Sequence, residues 1–186
     1  MINKVLIVID PQIDFTTGAL YNLDAIKTIP VIKQVLEHAR NDDSFLIIFT
    51  KDTHNERYLD TQEGKKLPVV HCVRDTEGWK VYPDLAPLIN EKVICKPSFG
   101  YNDWKRVWEL HNELTEIWMC GFCTEVCVVS NFMCIKAAYP ELPIKVIHNA
   151  CAGVTQERHL EALHVMKYCQ GDIVEWKGDH YEDCEI

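Results

Sequence analysis

Short apolar segments alternate with helical patterns along the whole chain, and this alternation constrains the fold more than any other feature of the sequence. Such short runs, bounded by polar or turn residues, are typical of buried strands. The six segments of this kind are Val5–Ile9, Phe45–Phe49, Val93–Cys95, Glu116–Met119, Ile144–Ile147 and Ile173–Glu175. Near-continuous apolar strands indicate a parallel sheet that helices cover on both faces. The sequence therefore predicts an α/β fold: a doubly wound, mainly parallel six-stranded sheet with helices on both faces.

Helical periodicity lies between these segments. One apolar face begins at Ile29, with Thr28 as a candidate cap and Pro30 tolerable in the first turn. The stretch Val126–Ala138 is apolar nearly all round, which is typical of a helix buried against a sheet. Two further faces consist of Trp104, Val107, Trp108 and His111, and of Leu160, Leu163, Met166 and Cys169.

Length and charge exclude several classes of protein. A chain of 186 residues suits one domain, which we expect over residues 1–177, followed by an acidic, solvated extension at 178–186. The net charge of −9 argues against nucleic-acid binding, and no apolar run approaches the ~20 residues that cross a membrane. Nine cysteines without a signal-peptide pattern favour a reduced, cytoplasmic protein. The sequence is silent on oligomeric state, and a homo-oligomer is possible.

Polar side chains follow four of the predicted strands. Asp10 ends the first strand, Asp52 and His54 follow the second, Lys96 follows the third, and a Gly-containing turn after the fourth leads to Cys127. In doubly wound folds ligands bind beyond the carboxyl ends of the strands. Each residue alone has an ordinary explanation as a turn or surface residue, but their convergence on one edge predicts a functional site.

Cys127 is the candidate nucleophile. It lies near the start of a helix, where unpaired N–H groups and the helix dipole favour an anion, and a pKa lowered to roughly 6 would make it mostly thiolate at neutral pH. Lys96 would add positive charge, Asp10 could accept the thiol proton, and backbone amides could stabilise an oxyanion. The alternative from helix position alone is a buried structural cysteine.

A second cluster predicts a metal site. Asp52 and His54 are two residues apart on a loop after a strand, and His71 can complete the site from the same long loop. A carboxylate with two imidazoles suits Zn²⁺, Fe²⁺ or Mn²⁺. Glu63 is a candidate fourth ligand. Solvated loop histidines are the alternative interpretation.

The spacing Cys120-x-x-Cys123 raises the possibility of a redox pair or a zinc ribbon. A thioredoxin-type pair would begin a helix after the first strands, whereas Cys120 ends a buried strand. No second cysteine pair completes a zinc ribbon. The sequence therefore disfavours both roles.

Several motifs together resemble those of a known family. They are Val8-Ile9-Asp10-x-Gln12-x-Asp14-Phe15, Lys51-Asp52-x-His54, His71-Cys72-Val73-x-x-Thr76-x-Gly78, Lys96-x-x-Phe99 and Gly121-x-x-Thr124-x-x-Cys127-Val128. Their order and spacing resemble those of the isochorismatase-like cysteine hydrolases, whose best-known members are nicotinamidases. The resemblance spans roughly residues 3 to 175.

The resemblance implies a catalytic triad of Asp10, Lys96 and Cys127, which deaminates a small carboxamide through a thioester. It implies a cis peptide bond between Phe122 and Cys123, with the N–H groups of Cys123 and Cys127 as the oxyanion hole. Nicotinamidases also bind one divalent ion, and the resemblance maps its ligands onto Asp52, His54 and His71, with Glu63 as an extra carboxylate. It favours Zn²⁺ and implies that Phe15 stacks on the substrate ring.

The chain departs from the nicotinamidase pattern beside the metal ligands. Leu67-Pro68-Val69-Val70 stands where an aromatic residue usually precedes the last histidine, and Thr53-His54-Asn55 replaces the usual Trp-His-Pro. The resemblance thus keeps the metal set but alters one wall of the pocket. The alternatives are an isochorismatase-type hydrolase that cleaves a vinyl ether, another amidase of the family, a non-catalytic binding module and a thiol-based redox protein.

Overall fold

Seven strands form one sheet in a computed structural model that describes residues 1–107, 113–184 and 186. They are Lys4–Ile9 (β1), Phe45–Asp52 (β2), Lys92–Lys96 (β3), Glu116–Phe122 (β4), Ile144–Ala152 (β5), Asp172–Trp176 (β6) and Tyr181–Asp183 (β7). Their order in the sheet is β3-β2-β1-β4-β5-β6-β7. The first six strands pair in parallel, and β7 pairs antiparallel with β6. The predicted doubly wound, mainly parallel fold is confirmed.

The seventh strand corrects the prediction of six strands and lies in the segment that we expected to be a solvated extension. Tyr181 pairs with Trp176 in β6, and its ring packs edge-on against Trp118 at 5.2 Å. The backbone N–H of Cys184 donates to the carbonyl of Ile173 at 2.9 Å. A three-residue strand is too short to show an alternating pattern in the sequence, so only its contacts reveal it.

Five helices contribute to the layers around the sheet: Leu23–Arg40 (α1), Gln62–Lys66 (α2), Trp104–Val107 (α3), Val129–Ala138 (α4) and Gln156–Tyr168 (α5). Helix α1 packs against β2, β4 and β5, and α4 contacts both α3 and α5. Right-handed crossovers put α1 on one face of the sheet and α3, α4 and α5 on the other. None of the helices in the described ranges is long and apolar enough to cross a membrane.

Helix α1 begins earlier than predicted. Asn22, not Thr28, is its cap: the Asn22 side chain accepts hydrogen bonds from the backbone N–H groups of Asp24 and Ala25. Pro30 consequently lies inside the helix, on its exposed side. The amide of Asn22 also donates to the carbonyl of Gly153 at 2.8 Å, so a tertiary contact favours this start.

The other predicted helices are present with shifted faces. Trp104 and Val107 are buried, whereas Trp108 and His111 lie outside the described residues. In α5, Leu163 and Met166 are buried, but His159 takes the inward position and Leu160 is exposed. All nine cysteines are described, and every one is a free thiol.

The strand order creates a crevice between β1 and β4. The chain adds β2 and β3 on one side of β1 and then crosses over to β4 on the other side. At such a reversal the loops after the two neighbouring strands lead away on opposite faces and leave an opening at their carboxyl ends. Asp10 follows β1, and the turn after β4 leads to Cys127, so the fold brings both candidate residues to this opening.

Candidate active site and metal centre

Asp10 and Lys96 form a buried ion pair at the crevice. Lys96 Nζ lies 2.6 Å from Asp10 Oδ2, and both side chains are fully buried. The Thr50 hydroxyl donates to Asp10 Oδ1 at 2.6 Å and accepts from the Asp10 backbone N–H at 3.1 Å. Lys96 also donates to the carbonyl of Ser98 at 3.2 Å. Asp10 follows β1, Thr50 lies in β2 and Lys96 ends β3, so residues of three neighbouring strands hold the ion pair in place.

Burial and mutual charge set the protonation of this pair. Burial raises the pKa of Asp10, and the positive charge of Lys96 offsets part of this effect. For Lys96, burial lowers the pKa, but the negative charge of Asp10 outweighs it and the pKa rises overall. Lys96 thus remains an ammonium ion, and Asp10 is a stronger proton acceptor than an exposed aspartate.

Cys127 lies in a π-helical turn, Thr124–Val128, that continues directly into α4. Its residue surface is only 4% exposed, and that part lines a cavity. The predicted position near a helix start is confirmed, but the helix start does not lower the pKa of the thiol. Burial raises the pKa of the Cys127 thiol well above its usual value, Asp10 raises it further, and Lys96 only partly compensates. The resting thiol is therefore protonated and needs a base.

The turn before Cys127 has special backbone geometry. The peptide bond between Phe122 and Cys123 is cis, as the family resemblance implies. Gly121 has a φ of 120°, and a Cβ there would lie 2.1 Å from the carbonyl oxygen of Ile9. Only glycine lets β4 approach β1 this closely before the chain turns toward the cavity. Cys123 also lines the cavity, and burial raises its pKa to about 12.

Asn131 ties the nucleophile's helix to the loop after β3, and the sequence interpretation missed it. Its amide donates to the carbonyls of Cys127 at 2.8 Å and Phe99 at 3.0 Å. Its carbonyl accepts from the Tyr101 backbone N–H at 2.9 Å and from the Trp104 indole at 3.2 Å. The signal was a lone amide in an otherwise apolar helix, where a buried polar group needs partners.

His159 is a second residue that the sequence analysis did not single out. Its Nδ1 atom lies 2.8 Å from the hydroxyl of Thr124, and both side chains are buried. Burial lowers the pKa of His159 to about 4, so the ring is neutral near pH 7. A neutral histidine of α5 thus holds the first residue of the turn that carries Cys127.

The four predicted metal ligands converge beside the same cavity. One ligand atom from each of Asp52, His54, Glu63 and His71 lies within 4.8 Å of those of the other three. His54 Nε2 is 3.0 Å from Asp52 Oδ2 and 3.7 Å from Glu63 Oε1. His71 Nε2 is 3.6 Å from each of the same two oxygens. Asp52 and both histidines are buried, whereas Glu63 is partly exposed.

These residues fit a divalent ion. Ligands at ~2.0–2.1 Å from a tetrahedral ion lie ~3.3–3.4 Å from one another, close to the separations observed here. His71 Nδ1 lies 2.8 Å from the carbonyl of Val69, which fixes the proton there and leaves Nε2 free to bind. Asp52 Oδ1 is buried and accepts no hydrogen bond from the described residues. The backbone of Asp52 is held by the Gln12 side chain, which accepts from its N–H at 2.7 Å and donates to its carbonyl at 2.9 Å.

One cavity of about 630 Å³ connects the two groups of residues. Cys123 and Cys127 line it together with all four residues of the metal-ligand cluster. Phe15 also lines the cavity, and its ring meets the His71 ring edge-on at 5.7 Å. An ion held by the cluster and a thiol at Cys127 would therefore face the same bound molecule.

Solved structures share this architecture. The pyrazinamidase of Pyrococcus horikoshii in complex with zinc is 25% identical, covers 94% of this chain and 99% of its own, and superposes with a TM-score of 0.78. The pyrazinamidase/nicotinamidase of Streptococcus mutans UA159 is 26% identical, with coverages of 91% and 99% and a TM-score of 0.78. The N-carbamoylsarcosine amidase of Thermoplasma acidophilum is 20% identical, with coverages of 96% and 98% and a TM-score of 0.77, which shows the fold alone.

The family comparison covers the six parallel strands of the sheet and its helices. The isochorismatase domain model matches residues 4–178, which contain both the thiol site and the metal-ligand cluster. The match agrees with the doubly wound fold and with the hydrolases that superpose on it. The chain therefore belongs to the isochorismatase domain family of hydrolases.

Proposed function

We propose that the protein is a metal-containing cysteine amidohydrolase that converts a small carboxamide, such as nicotinamide, to the acid and ammonia. The observation that carries the proposal is the shared cavity: Cys127 lines it together with four metal-ligand side chains, and the Asp10–Lys96 pair lies close enough to alter the pKa of the thiol. The similarity to pyrazinamidases and nicotinamidases supports the same reaction class.

In the first half of the reaction Asp10 removes the proton of the Cys127 thiol as the sulfur attacks the carboxamide carbon. The raised pKa of Asp10 makes it an effective base, and the ammonium of Lys96 stabilises the thiolate that forms. The backbone N–H groups of Cys123 and Cys127 would donate to the oxyanion. The C–N bond then breaks, Asp10 returns the proton to the leaving nitrogen, and ammonia departs.

In the second half a water molecule hydrolyses the thioester on Cys127. Asp10, now a carboxylate again, accepts a proton from the water as its oxygen attacks the carbonyl carbon. The C–S bond breaks, the acid is released and the thiol recovers its proton. One base thus serves both halves, and the fixed contacts from Thr50 and Lys96 hold it in the same position for each.

Asp52, His54 and His71 would hold the metal ion, with Glu63 as an additional ligand. When bound, the ion would supply a Lewis acid that binds an electron-pair donor of the substrate, such as a ring nitrogen. The mixture of carboxylate and imidazole ligands suits Zn²⁺, and it also suits Fe²⁺ or Mn²⁺. Phe15 would support the ring of the substrate, because the Phe15 ring lines the same cavity as the metal ligands.

Ammonia release tests the proposal. Purified protein saturated with Zn²⁺ should release ammonia from nicotinamide or pyrazinamide, and Cys127→Ala should lower the rate at least ~10³-fold. Cys134→Ala is the matched control, because Cys134 is partly buried and lies outside the residues that line the cavity. Absence of ammonia from every carboxamide tried, or full activity of Cys127→Ala, would contradict the proposal.

A vinyl-ether hydrolase is the second candidate, and the family match to an isochorismatase domain favours it. That reaction protonates a vinyl ether and does not need a thiol. Hydrolysis of isochorismate that persists after alkylation of Cys127 would favour this candidate, whereas ammonia release that alkylation abolishes would favour the amidohydrolase.

A further inference from the structure

The cavity beside Cys127 is much larger than a one-ring carboxamide. Its volume is about 630 Å³, within the range of roughly 300 to 1,000 Å³ of sites that enclose drug-sized ligands. A pyridine carboxamide displaces roughly five waters at ~30 Å³ each, or about 150 Å³. Most of the cavity would therefore remain empty around such a substrate.

The additional space is bounded by apolar side chains. Besides the thiol and the metal ligands, the cavity lining includes the apolar side chains of Leu20, Leu67, Phe99, Val126 and Val154. Leu67, Phe99 and Val154 are 38%, 42% and 60% exposed. Large apolar side chains exposed together around a cavity mark a surface that a ligand covers.

Charge also limits which ligands the outer part of the cavity, around the exposed side chains of Leu67, Phe99 and Val154, can bind. Among the lining residues that the structure describes, the acidic groups are Asp52 and Glu63, and both belong to the metal cluster. Lys66 is the one ammonium group among them, and it is exposed to solvent. The apolar side chains of the outer part therefore fit an uncharged, apolar group.

We propose that the substrate is a primary carboxamide that carries an apolar extension beyond its first ring, and that the extension packs against Leu67 and Phe99. The inference rests on the proposed amidohydrolase function, because it takes the carboxamide carbon to lie at Cys127. Burying the extension removes apolar surface of both partners from water and adds binding energy that nicotinamide lacks. Leu67 is then a specificity-determining residue of the site.

A series of nicotinamides with methyl, propyl and phenyl groups at ring positions 5 and 6 tests this inference. On the Zn²⁺-loaded full-length protein, we expect the best phenyl derivative to exceed nicotinamide in kcat/KM by about tenfold or more. Leu67→Trp fills the outer part of the cavity and should lower the ratio of phenyl-derivative to nicotinamide kcat/KM at least about tenfold. Leu88→Trp is the matched control, since Leu88 is 51% exposed and lies outside the cavity lining, and it should leave the ratio unchanged.

Binding of the same compounds to Cys127→Ala, measured by calorimetry, separates this inference from the proposed function. If no amide is hydrolysed but the phenyl derivatives bind more tightly than nicotinamide and Leu67→Trp removes the difference, the proposed reaction fails and the apolar subsite is upheld. If nicotinamide is hydrolysed and every extension lowers both kcat/KM and affinity, the subsite is refuted and the reaction stands. A ratio that Leu67→Trp leaves unchanged would likewise overturn the assignment of Leu67.

Discussion

Lys96 Nζ lies 2.6 Å from Asp10 Oδ2 in a part of the protein where neither side chain reaches solvent. Removing one partner from such a pair leaves the other as an uncompensated buried charge, which costs far more than the pair itself contributes. Thr50 donates a hydrogen bond to Asp10 Oδ1 and Lys96 donates one to the Ser98 carbonyl, but Asp10 Oδ2 is paired only with the charge of Lys96.

We therefore expect Lys96→Met to lower the free energy of unfolding by about 3–5 kcal/mol, as measured by urea denaturation. The double variant Asp10→Asn, Lys96→Met should regain part of this loss, because no unpaired charge remains. Lys27→Met is the control: Lys27 pairs with Asp24 on the surface, and its loss should change stability by less than about 1 kcal/mol. Equal losses for the single and double variants would contradict the expectation.

Asn131 should affect both stability and turnover. Asn131→Leu keeps the size of the side chain but removes the donor to the Phe99 carbonyl and the acceptor for the Tyr101 N–H. We expect a loss of about 2–4 kcal/mol in the free energy of unfolding, and a fall in kcat larger than the change in KM, because the loop that Lys96 contacts loses its anchor.

The exposed cap residue of α1 supplies the control for that experiment. Asn41 lies at the carboxyl end of α1 and donates its amide to the Glu37 carbonyl. Asn41→Leu should change neither kcat nor KM. If Asn131→Leu behaved like Asn41→Leu in urea denaturation and in kinetics, the positioning role of Asn131 would be refuted.

Metal analysis tests the candidate metal ligands Asp52, His54, Glu63 and His71. Wild-type protein purified with Zn²⁺ should hold about one ion per chain by mass spectrometry, and His71→Ala should hold less than about one tenth of that amount. Glu63→Gln should retain the ion with weaker affinity, because Glu63 is the partly exposed member of the set.

Zn²⁺ at a hundred times its Kd should stabilise the wild type by about 2.7 kcal/mol. His164→Ala, on the exposed side of α5, should behave like the wild type, and a fully loaded His71→Ala would exclude this site.

His159 predicts a dependence of stability on acidity. Its pKa is about 4 in the folded protein, against ~6.5 for an unperturbed histidine. Between these values the unfolded chain binds a proton that the folded protein does not, so this group lowers stability as the pH falls from 6.5 to 4. The slope reaches at most about 1.4 kcal/mol per pH unit.

Because carboxyl groups titrate in the same window, the difference between variants isolates the effect of His159. His159→Asn, whose amide can reach the Thr124 hydroxyl from the position of Nδ1, should show a flatter loss of stability between pH 6.5 and 4 in urea denaturation. His164→Asn should match the wild-type curve, since His164 is exposed on the same helix. Parallel curves for His159→Asn and the wild type would contradict the assignment.

The strands and the polar residues that follow them could be predicted from the sequence, because both depend on a few consecutive residues. Apolar runs such as Val5–Ile9 mark the buried strands, and parallel strands bring their carboxyl ends to one edge of the sheet. This is why the convergence of Asp10, Lys96 and the candidate metal ligands on one edge of the sheet could be predicted from the sequence. The start of α1 could not, since Asn22 and Thr28 are both competent caps and only the contact of Asn22 with Gly153 selects one.

The properties that the sequence did not reveal depend on how deeply a side chain is buried and on hydrogen bonds to residues far away along the chain. The helix position of Cys127 suggested a lowered pKa, but the extent of its burial reverses the direction. The partners Phe99 and Tyr101 of Asn131 lie 32 and 30 residues away along the chain, and the partner of His159 lies 35 residues away. Such relationships have no periodicity or spacing that a single sequence displays.

Mass spectrometry of acid-quenched reactions tests the covalent role of Cys127 most directly. Wild-type protein mixed with nicotinamide and quenched during turnover should gain the mass of one nicotinoyl group, and peptide mapping should place that group on Cys127. Cys127→Ala should gain no mass under the same conditions. Turnover of nicotinamide without any acyl adduct on Cys127, or an adduct on Cys123 instead, would contradict the account.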